Sequence, residues 1–460
     1  METDYLVIGA GTTGLCFTDE LLRQNPEATV TIVDRRAQPG GHWVDAYPFV
    51  ELHQPSSFYG LPTRKLGDGK FATTGANKGL ETLATGTEIL HHFERHMAEE
   101  FLTSGRVTFL PLHEVTEEGR IRSLLSGEER EVDVRRKTVN AAYHQNSVPR
   151  THRRAYSVAP ELVCIPPNEL PARAPEHRQF TVIGAGKTGI DAVLYLLRMG
   201  AKPAQITWIM PRDSWLWDRE TTQNNQAFFG KTMGGFAGQL EAAAAAKTPQ
   251  DFALMMEEKG IWFRVYDDVT PSMFHAATCS REERRILREV TNIVRMGRVR
   301  EITPGKIKLD GGEAQVPEHS LFIDCTASAI DKKPTRPIFE DDLITCQILR
   351  FPSISLSAAI LGWLEVHGGS TAEKNRFASP CPLPDTVEDY MTTLLVGLIN
   401  QGQWRQFPEL DAYLTASRLD MGSSLIAGGD NKAPERAEIL MRVQSSVMPA
   451  FANLQRLASA

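Results

Sequence analysis

Tyr5-Leu6-Val7-Ile8-Gly9-Ala10-Gly11-Thr12-Thr13-Gly14 decides the fold of this chain. Four apolar residues run into a G-x-G-x-x-G turn, and an apolar-periodic segment follows as far as Leu22, which predicts strand, glycine turn and helix. In such a turn the first glycine permits the bend and the second lets backbone amides approach a pyrophosphate. The third lets the helix pack on the strand. A second predicted strand, Val30 to Val33, ends in Asp34, twenty residues beyond Gly14, where a carboxylate can accept hydrogen bonds from an adenosine ribose. The helix N-terminus at Thr12 and Thr13 supplies unpaired N–H groups for an anion.

The same grammar recurs at Phe180-Thr181-Val182-Ile183, Gly184-Ala185-Gly186-Lys187-Thr188-Gly189, a predicted helix through Leu197 and a strand from Ile206 to Met210. The fold class expected is therefore α/β, with two Rossmann-like dinucleotide-binding domains and helical segments on the substrate side. The second strand ends in Met210-Pro211-Arg212 and has no acidic residue at the ribose position. A guanidinium there suits a 2′-phosphate, so NADPH is expected in preference to NADH. A solvated surface charge is the alternative for Arg212. Lys187-Thr188 imitates a P-loop, but the Walker pattern needs a glycine where Thr181 stands.

Between the modules, Thr87 to Phe101 predicts a helix and Val107 to Leu110 a short strand, and a Pro-rich connector runs from Cys164 to Pro175. Beyond the second module, Glu241 to Glu258 and Arg281 to Arg295 predict helices, and Leu321 onward reads as a strand returning to the first domain. The composition is ordinary for a globular chain of 460 residues, 42% hydrophobic and 23% charged. Its 50 basic and 57 acidic residues leave a net charge of −7, which gives no footprint for nucleic acid or anionic membranes. The six cysteines form no C-x-x-C pair and no zinc spacing. No apolar run is long enough to span a bilayer, and the acidic start Met1-Glu2-Thr3-Asp4 is unlike a signal peptide, so a cytoplasmic location is expected.

Asp34-Arg35, Gly40-Gly41-His42-Trp43, Tyr47-Pro48 and Leu52-His53-Gln54-Pro55-Ser56, together with the two glycine turns, resemble flavoproteins with two dinucleotide-binding domains. The flavin-containing monooxygenase-like group is the branch they look like. The resemblance implies FAD on the first module, NADPH on the second, and oxygen chemistry at reduced flavin in the cleft between them. It implies that Gly9, Gly11, Thr12, Thr13 and Gly14 hold the FAD pyrophosphate and Asp34 and Arg35 the adenosine end. Gly41, His42 and Trp43 would lie along the same cofactor, and His53, Gln54 and Ser56 near the isoalloxazine ring. Val115 would make a backbone contact to adenine. Gly184, Gly186, Lys187, Thr188, Gly189 and Arg212 would hold NADPH. The implied domains are 1–165 with 320–460 for FAD, interrupted by 176–319 for NADPH, with a helical insertion at about 213–300.

One departure separates the chain from that group. The pattern F-x-G-x-x-x-H-x-x-x-W expected between the modules is missing, since no glycine occurs between Gly127 and Gly184. The Ala-Thr-Gly strand ends appear as Asn140-Ala141-Ala142 and Cys325-Thr326-Ala327. An NADPH-dependent flavin reductase that inserts no oxygen, and a non-catalytic scaffold retaining the nucleotide folds, stay open beside the monooxygenase.

His53 is the one candidate catalytic side chain, as a proton donor or flavin partner, with a buried histidine of no chemical role as its alternative. The substrate side is expected to draw on residues between Trp215 and Arg295. His92 and His96, spaced i, i+4, have no third ligand at metal spacing and read as one face of a helix, so no metal is expected.

Overall fold

The computed structural model describes residues 1–144, 146–328 and 331–458. Two five-stranded sheets organise it. The first runs in the order Leu343–Thr345, Asp133–Asn140, Glu2–Ile8, Val30–Asp34, Val107–Pro111, with every neighbouring pair parallel. The second runs Ile293–Val294, Ile206–Ile209, Phe180–Ile183, Leu321–Asp324, Cys164–Ile165, again parallel throughout. Helices cover both faces of such a sheet, which is why Val30–Asp34, Phe180–Ile183 and Ile206–Ile209 are buried along their whole length instead of alternating.

Each glycine turn joins its first strand to a helix, Thr12–Gln24 in one unit and Lys187–Arg198 in the other. Gly9 and Gly184 sit at φ +106° and +119°, a region that side chains rarely enter. A Cβ on Gly14 would overlap the Gly9 carbonyl oxygen, and one on Gly189 would overlap that of Gly184. The third glycine of each motif is thus a packing requirement between helix and strand, independent of any ligand.

Several expectations are corrected by the strand pairing. Leu321–Asp324 does not return to the first unit; it pairs with Phe180–Ile183, Leu321 opposite Phe180. An apolar run of four reads alike in either parallel sheet, so the sequence pattern could not choose between them. The chain re-enters the first sheet at Leu343–Thr345. The Pro-rich connector begins with an edge strand of the second sheet, Cys164–Ile165, and upstream Ser157–Val158 pairs with Glu301–Ile302.

The helix expected over Arg281 to Arg295 stops at Leu287. Its N-terminus is a capping box between Ser280 and Glu283, but Val290, Thr291, Ile293 and Val294 are β-branched, and Ile293–Val294 extends to pair with Trp208 and Ile209. The Ala-rich stretch is two helices, Phe229–Ala245 and Pro249–Glu258. Thr248 caps the second by accepting from Asp251 N, and Pro249 has no N–H with which to continue the first. The helix Gly86–His96 ends in one π-helical turn, Met97–Phe101.

The insertion and the C-terminal segment meet in a helical layer. Val387–Trp404 and Pro434–Ala458 pack on Phe229–Ala245 and on a small sheet carrying Trp215, Trp262 and Phe274. Trp262 stacks on Phe274 with ring centres 4.1 Å apart, and both are fully buried. Among the described residues no helix is long and apolar enough to cross a membrane.

Candidate active site between two glycine turns

The first turn is built by two chain crossings. Gly40 N donates to Ala10 O at 2.8 Å, which lays the Gly40-Gly41 pair across the motif, and a Cβ on Gly41 would stand 2.9 Å from Gly11 Cα. Glycines therefore face each other there at backbone contact distance, with no side chain between them. Asp34 is buried at its strand end, accepting from Ala10 N at 2.7 Å and from Arg36 N at 2.8 Å, so its carboxylate is fixed at the rim of the turn. The Thr12 hydroxyl meets Tyr59 OH, which also accepts from Trp43 Nε1 at 2.8 Å. Thr13 is half-buried beside it.

His42 is tied through Nδ1 to Asn146 Nδ2 at 2.7 Å, and burial, with Arg36 nearby, pulls its pKa down to about 4. It is a neutral imidazole at physiological pH. Arg35 is exposed and pairs loosely with Glu114 at 3.5 Å. Val115 lies in the short strand His113–Val115, packed against the apolar cluster of Leu6, Val33 and Ile121 behind the sheet.

In the second turn a Cβ on Gly186 would meet nothing within 4 Å, so the N-terminus of the helix Lys187–Arg198 opens onto free space. Lys187 is ion-paired to Asp191, one turn along its helix. Asp191 also accepts from Tyr47 OH at 2.7 Å, and Tyr47 comes from the first unit's Tyr47-Pro48 segment. Thr188 lies beside the same phenol. Burial, reinforced by Asp191, drives the Tyr47 phenol well above its ordinary range, so it stays a donor. Arg212 is exposed past the end of the strand Ile206–Ile209, with Asp385 in its electrostatic neighbourhood.

The segment His53 to Ser56 bridges the units. Ser56 Oγ donates to Thr82 O at 2.8 Å and anchors the loop. The His53 carbonyl accepts from Arg219 Nε at 3.0 Å. Desolvation, with Lys187 and then Arg219 behind it, holds the His53 imidazole well below its ordinary range. It is neutral across the physiological range, and of its roles that of hydrogen-bond partner fits this state. Gln54 lines a cavity, described below.

Sequence reasoning missed Arg219. Fully buried, it donates to His53 O, to Asn77 Oδ1, to Thr278 O at 3.0 Å and to Glu283 Oε2 at 2.6 Å. One guanidinium thus ties the first unit (His53, Asn77) to the insertion of the second (Thr278, Glu283). An arginine inside Trp215-Leu216-Trp217-Asp218-Arg219 was the available signal, because a charge in an aromatic run has to be paired. Burial alone would raise the Glu283 carboxyl; Arg219, then Lys187, outweigh this and hold it at about 2 against an ordinary 4.5. A depressed carboxylate contributes stability above its unfolded pKa and loses it as pH falls through the folded value. Acid denaturation should therefore show a component between pH 4.5 and 2 that is absent from Glu283→Gln, measured by melting temperature against pH.

The cavity next to this segment has a volume of about 240 Å³. It is lined by Gln54 and Phe58 from the first unit, by Trp217, Met233, Phe236 and Thr278 from the insertion, and by Phe351, Tyr390, Leu394, Gly397 and Asp420 from the C-terminal third. The expected span from Trp215 to Arg295 supplies one wall, and the opposite wall comes from helices that carried no motif. Trp215 is absent from it: fully buried, it packs in the helical layer with the Arg264 guanidinium 4.9 Å from its ring centre. His92 Nε2 accepts from Leu61 N at 3.2 Å and His96 faces Asp19 at 3.1 Å, so the two histidines serve different partners.

Fold and site together define a protein of two Rossmann-like modules tied to each other by the Tyr47–Asp191 hydrogen bond and the Arg219 cluster. The family model of the NAD(P)-binding Rossmann-like domain matches residues 7–47. The uncharacterized protein Rv2000 of Mycobacterium tuberculosis is 40% identical over all 460 residues, which span 85% of its length. This chain belongs to the family of that mycobacterial protein. Among solved structures it is similar to a caprolactone-bound cyclohexanone monooxygenase (14% identity, 80% of this chain and 88% of that one, TM-score 0.49). It is also similar to S-allyl-L-cysteine S-oxygenase of Allium sativum (15%, 97% and 99%, TM-score 0.45).

Proposed function

We propose that this chain is an FAD-dependent, NADPH-consuming oxidoreductase whose reaction is monooxygenation of a small organic substrate. The observation that carries the reading is the pairing of two glycine turns, each at a helix N-terminus on its own parallel sheet, linked by Tyr47 and Asp191 and by the Arg219 cluster. Both turns fit a pyrophosphate. In the first the facing glycines bring backbone close with no side chain between them, and in the second a Cβ would project into open space. In this reading Gly9, Gly11, Gly14, Asp34, Gly41, His42 and Trp43 bind FAD, and Gly184, Gly186, Thr188, Gly189 and Arg212 bind NADPH.

Bound flavin would supply hydride acceptance from the nicotinamide and the reaction of the reduced ring with dioxygen, so no catalytic triad is needed. The chain's own work is positional. Lys187 and Tyr47 fix Asp191 between the units, Arg219 fixes the His53 backbone, and neutral His42 and His53 offer hydrogen bonds without a charge. The overall balance is substrate, NADPH, a proton and O₂ giving oxygenated product, NADP⁺ and water.

A second reading, hydride transfer from NADPH through flavin to an acceptor without oxygen insertion, is favoured by the missing glycine-containing fingerprint between Gly127 and Gly184. Turnover under ¹⁸O₂ separates them. One labelled oxygen in the product supports monooxygenation, whereas an unlabelled product with NADPH oxidised supports the reductase. Arg212→Ala is expected to raise KM for NADPH roughly 10- to 100-fold, as for the loss of a charged hydrogen bond, and to leave that for NADH unchanged. Equal effects on the two cofactors would make Arg212 a surface charge.

A further inference from the structure

We infer that the cavity beneath Gln54 binds an uncharged, largely apolar ring compound of about ten non-hydrogen atoms, which Gln54 orients through a single hydrogen bond. The inference deepens the proposed oxidoreductase function and rests on it for calling this ligand the substrate.

The size follows from the volume. A protein cavity of about 150 Å³ holds benzene, and about 240 Å³ scales to roughly ten non-hydrogen atoms. The shape and chemistry follow from the wall. Trp217 and Phe351 both stand against Tyr390, with ring centres 6.1 and 6.2 Å away, so the ligand faces aromatic surfaces that favour another ring.

Several inner polar groups of the wall are spent on protein partners, and the charged Arg405 and Asp411 that also line it are exposed to solvent. Tyr390 OH donates to Gln239 Oε1 at 3.2 Å, Thr232 Oγ1 donates to Gln223 O at 2.8 Å, and Arg350 pairs with Asp420 at 3.0 Å. A charged ligand placed against the inner wall would lose its water where the Arg350–Asp420 pair is already satisfied, which is costly. Gln54 is different. Its side-chain amide makes no hydrogen bond among the described residues, and it belongs to the loop whose His53 carbonyl is held by Arg219. It presents an NH2 group with two donors and a carbonyl acceptor on the side of the cavity nearest the first unit, which suits a carbonyl, hydroxyl or amine on the ligand.

Gly397 gives a clean test. It is buried in the helix Val387–Trp404 and lines the cavity, yet a Cβ there meets nothing within 4 Å. Larger side chains at this position enter the cavity instead of the core, and they replace a poor helix former with better ones. The experiment is calorimetric titration of the purified chain with 2-naphthol and with 2-naphthoate, for wild type, Gly397→Ala, Gly397→Leu and Gly397→Phe, with flavin absorbance and melting temperature recorded for each.

The expected result is one 2-naphthol per chain, with 2-naphthoate at least tenfold weaker. Affinity for 2-naphthol should fall stepwise across the series to at least tenfold in Gly397→Phe, with melting temperature unchanged or raised. Gln54→Leu should weaken 2-naphthol about fivefold. Naphthoate binding as tightly as naphthol, no binding of either probe, or an affinity indifferent to Gly397→Leu overturns the proposal. An unchanged affinity in Gln54→Leu overturns the orienting role. A chain that binds 2-naphthol in this pattern but takes up no flavin would refute the oxidoreductase reading and leave the cavity assignment standing; a yellow chain without the pattern would do the reverse.

Discussion

Arg219→Met is expected to destabilise the protein by about 3–5 kcal/mol, the cost of leaving a buried carboxylate without its cation. Methionine keeps much of the side-chain length but removes every donor. Glu283 would lose its charge partner, and the acceptors His53 O, Asn77 Oδ1 and Thr278 O would each lose a hydrogen bond in the interior. Chemical denaturation measures the loss directly. The double variant Arg219→Met, Glu283→Gln removes the uncompensated charge and is expected to recover part of it, because a neutral amide is cheaper to bury than an unpaired carboxylate. Full recovery would mean that the pair contributes nothing beyond cancelling its own charge, and that the hydrogen bonds to the first unit are dispensable. Partial recovery, with the remaining loss in the contact to the His53 segment, is the outcome the geometry supports.

The second large effect separates folding from binding within one motif. Gly186→Ala should leave the melting temperature nearly unchanged, since the added methyl meets no protein atom within 4 Å. It should cut the rate of flavin reduction by NADPH on the order of 100-fold, the scale expected when a bound group is displaced by about an ångström. Gly189→Ala, three residues on, should behave in the opposite manner. Its methyl overlaps the Gly184 carbonyl oxygen, so the helix Lys187–Arg198 must move off its strand and the protein should fold poorly with or without cofactor. If Gly186→Ala reduced its flavin as fast as wild type, the second turn would not be where the nicotinamide cofactor binds.

These contrasts show which parts of the molecule were legible beforehand. Both glycine turns, their flanking strands and helices, and Asp34 at the strand end follow from local rules, because each depends on backbone geometry within about 30 residues. The allegiance of Leu321–Asp324 did not, since burial on both faces erases the alternation that would mark one sheet from another. Arg219 and Glu283 lie 64 positions apart, and their partners His53 and Asn77 lie more than 140 positions upstream of Arg219, so only the folded chain brings them together. The cavity was half visible. The expected span from Trp215 to Arg295 contains Trp217, but Phe351, Tyr390 and Gly397 sit in segments whose only pattern is that of buried helix and loop.

In the proposed function the two modules carry FAD and NADPH within reach of each other. The direct measurement is the visible spectrum of the purified protein, reconstituted with FAD, before and after anaerobic addition of NADPH. A yellow protein whose flavin band bleaches on NADPH in a one-to-one titration and returns when air is admitted is the expected result. A protein that stays colourless after reconstitution, or a flavin band that NADPH leaves untouched in the presence and absence of 2-naphthol, would contradict it.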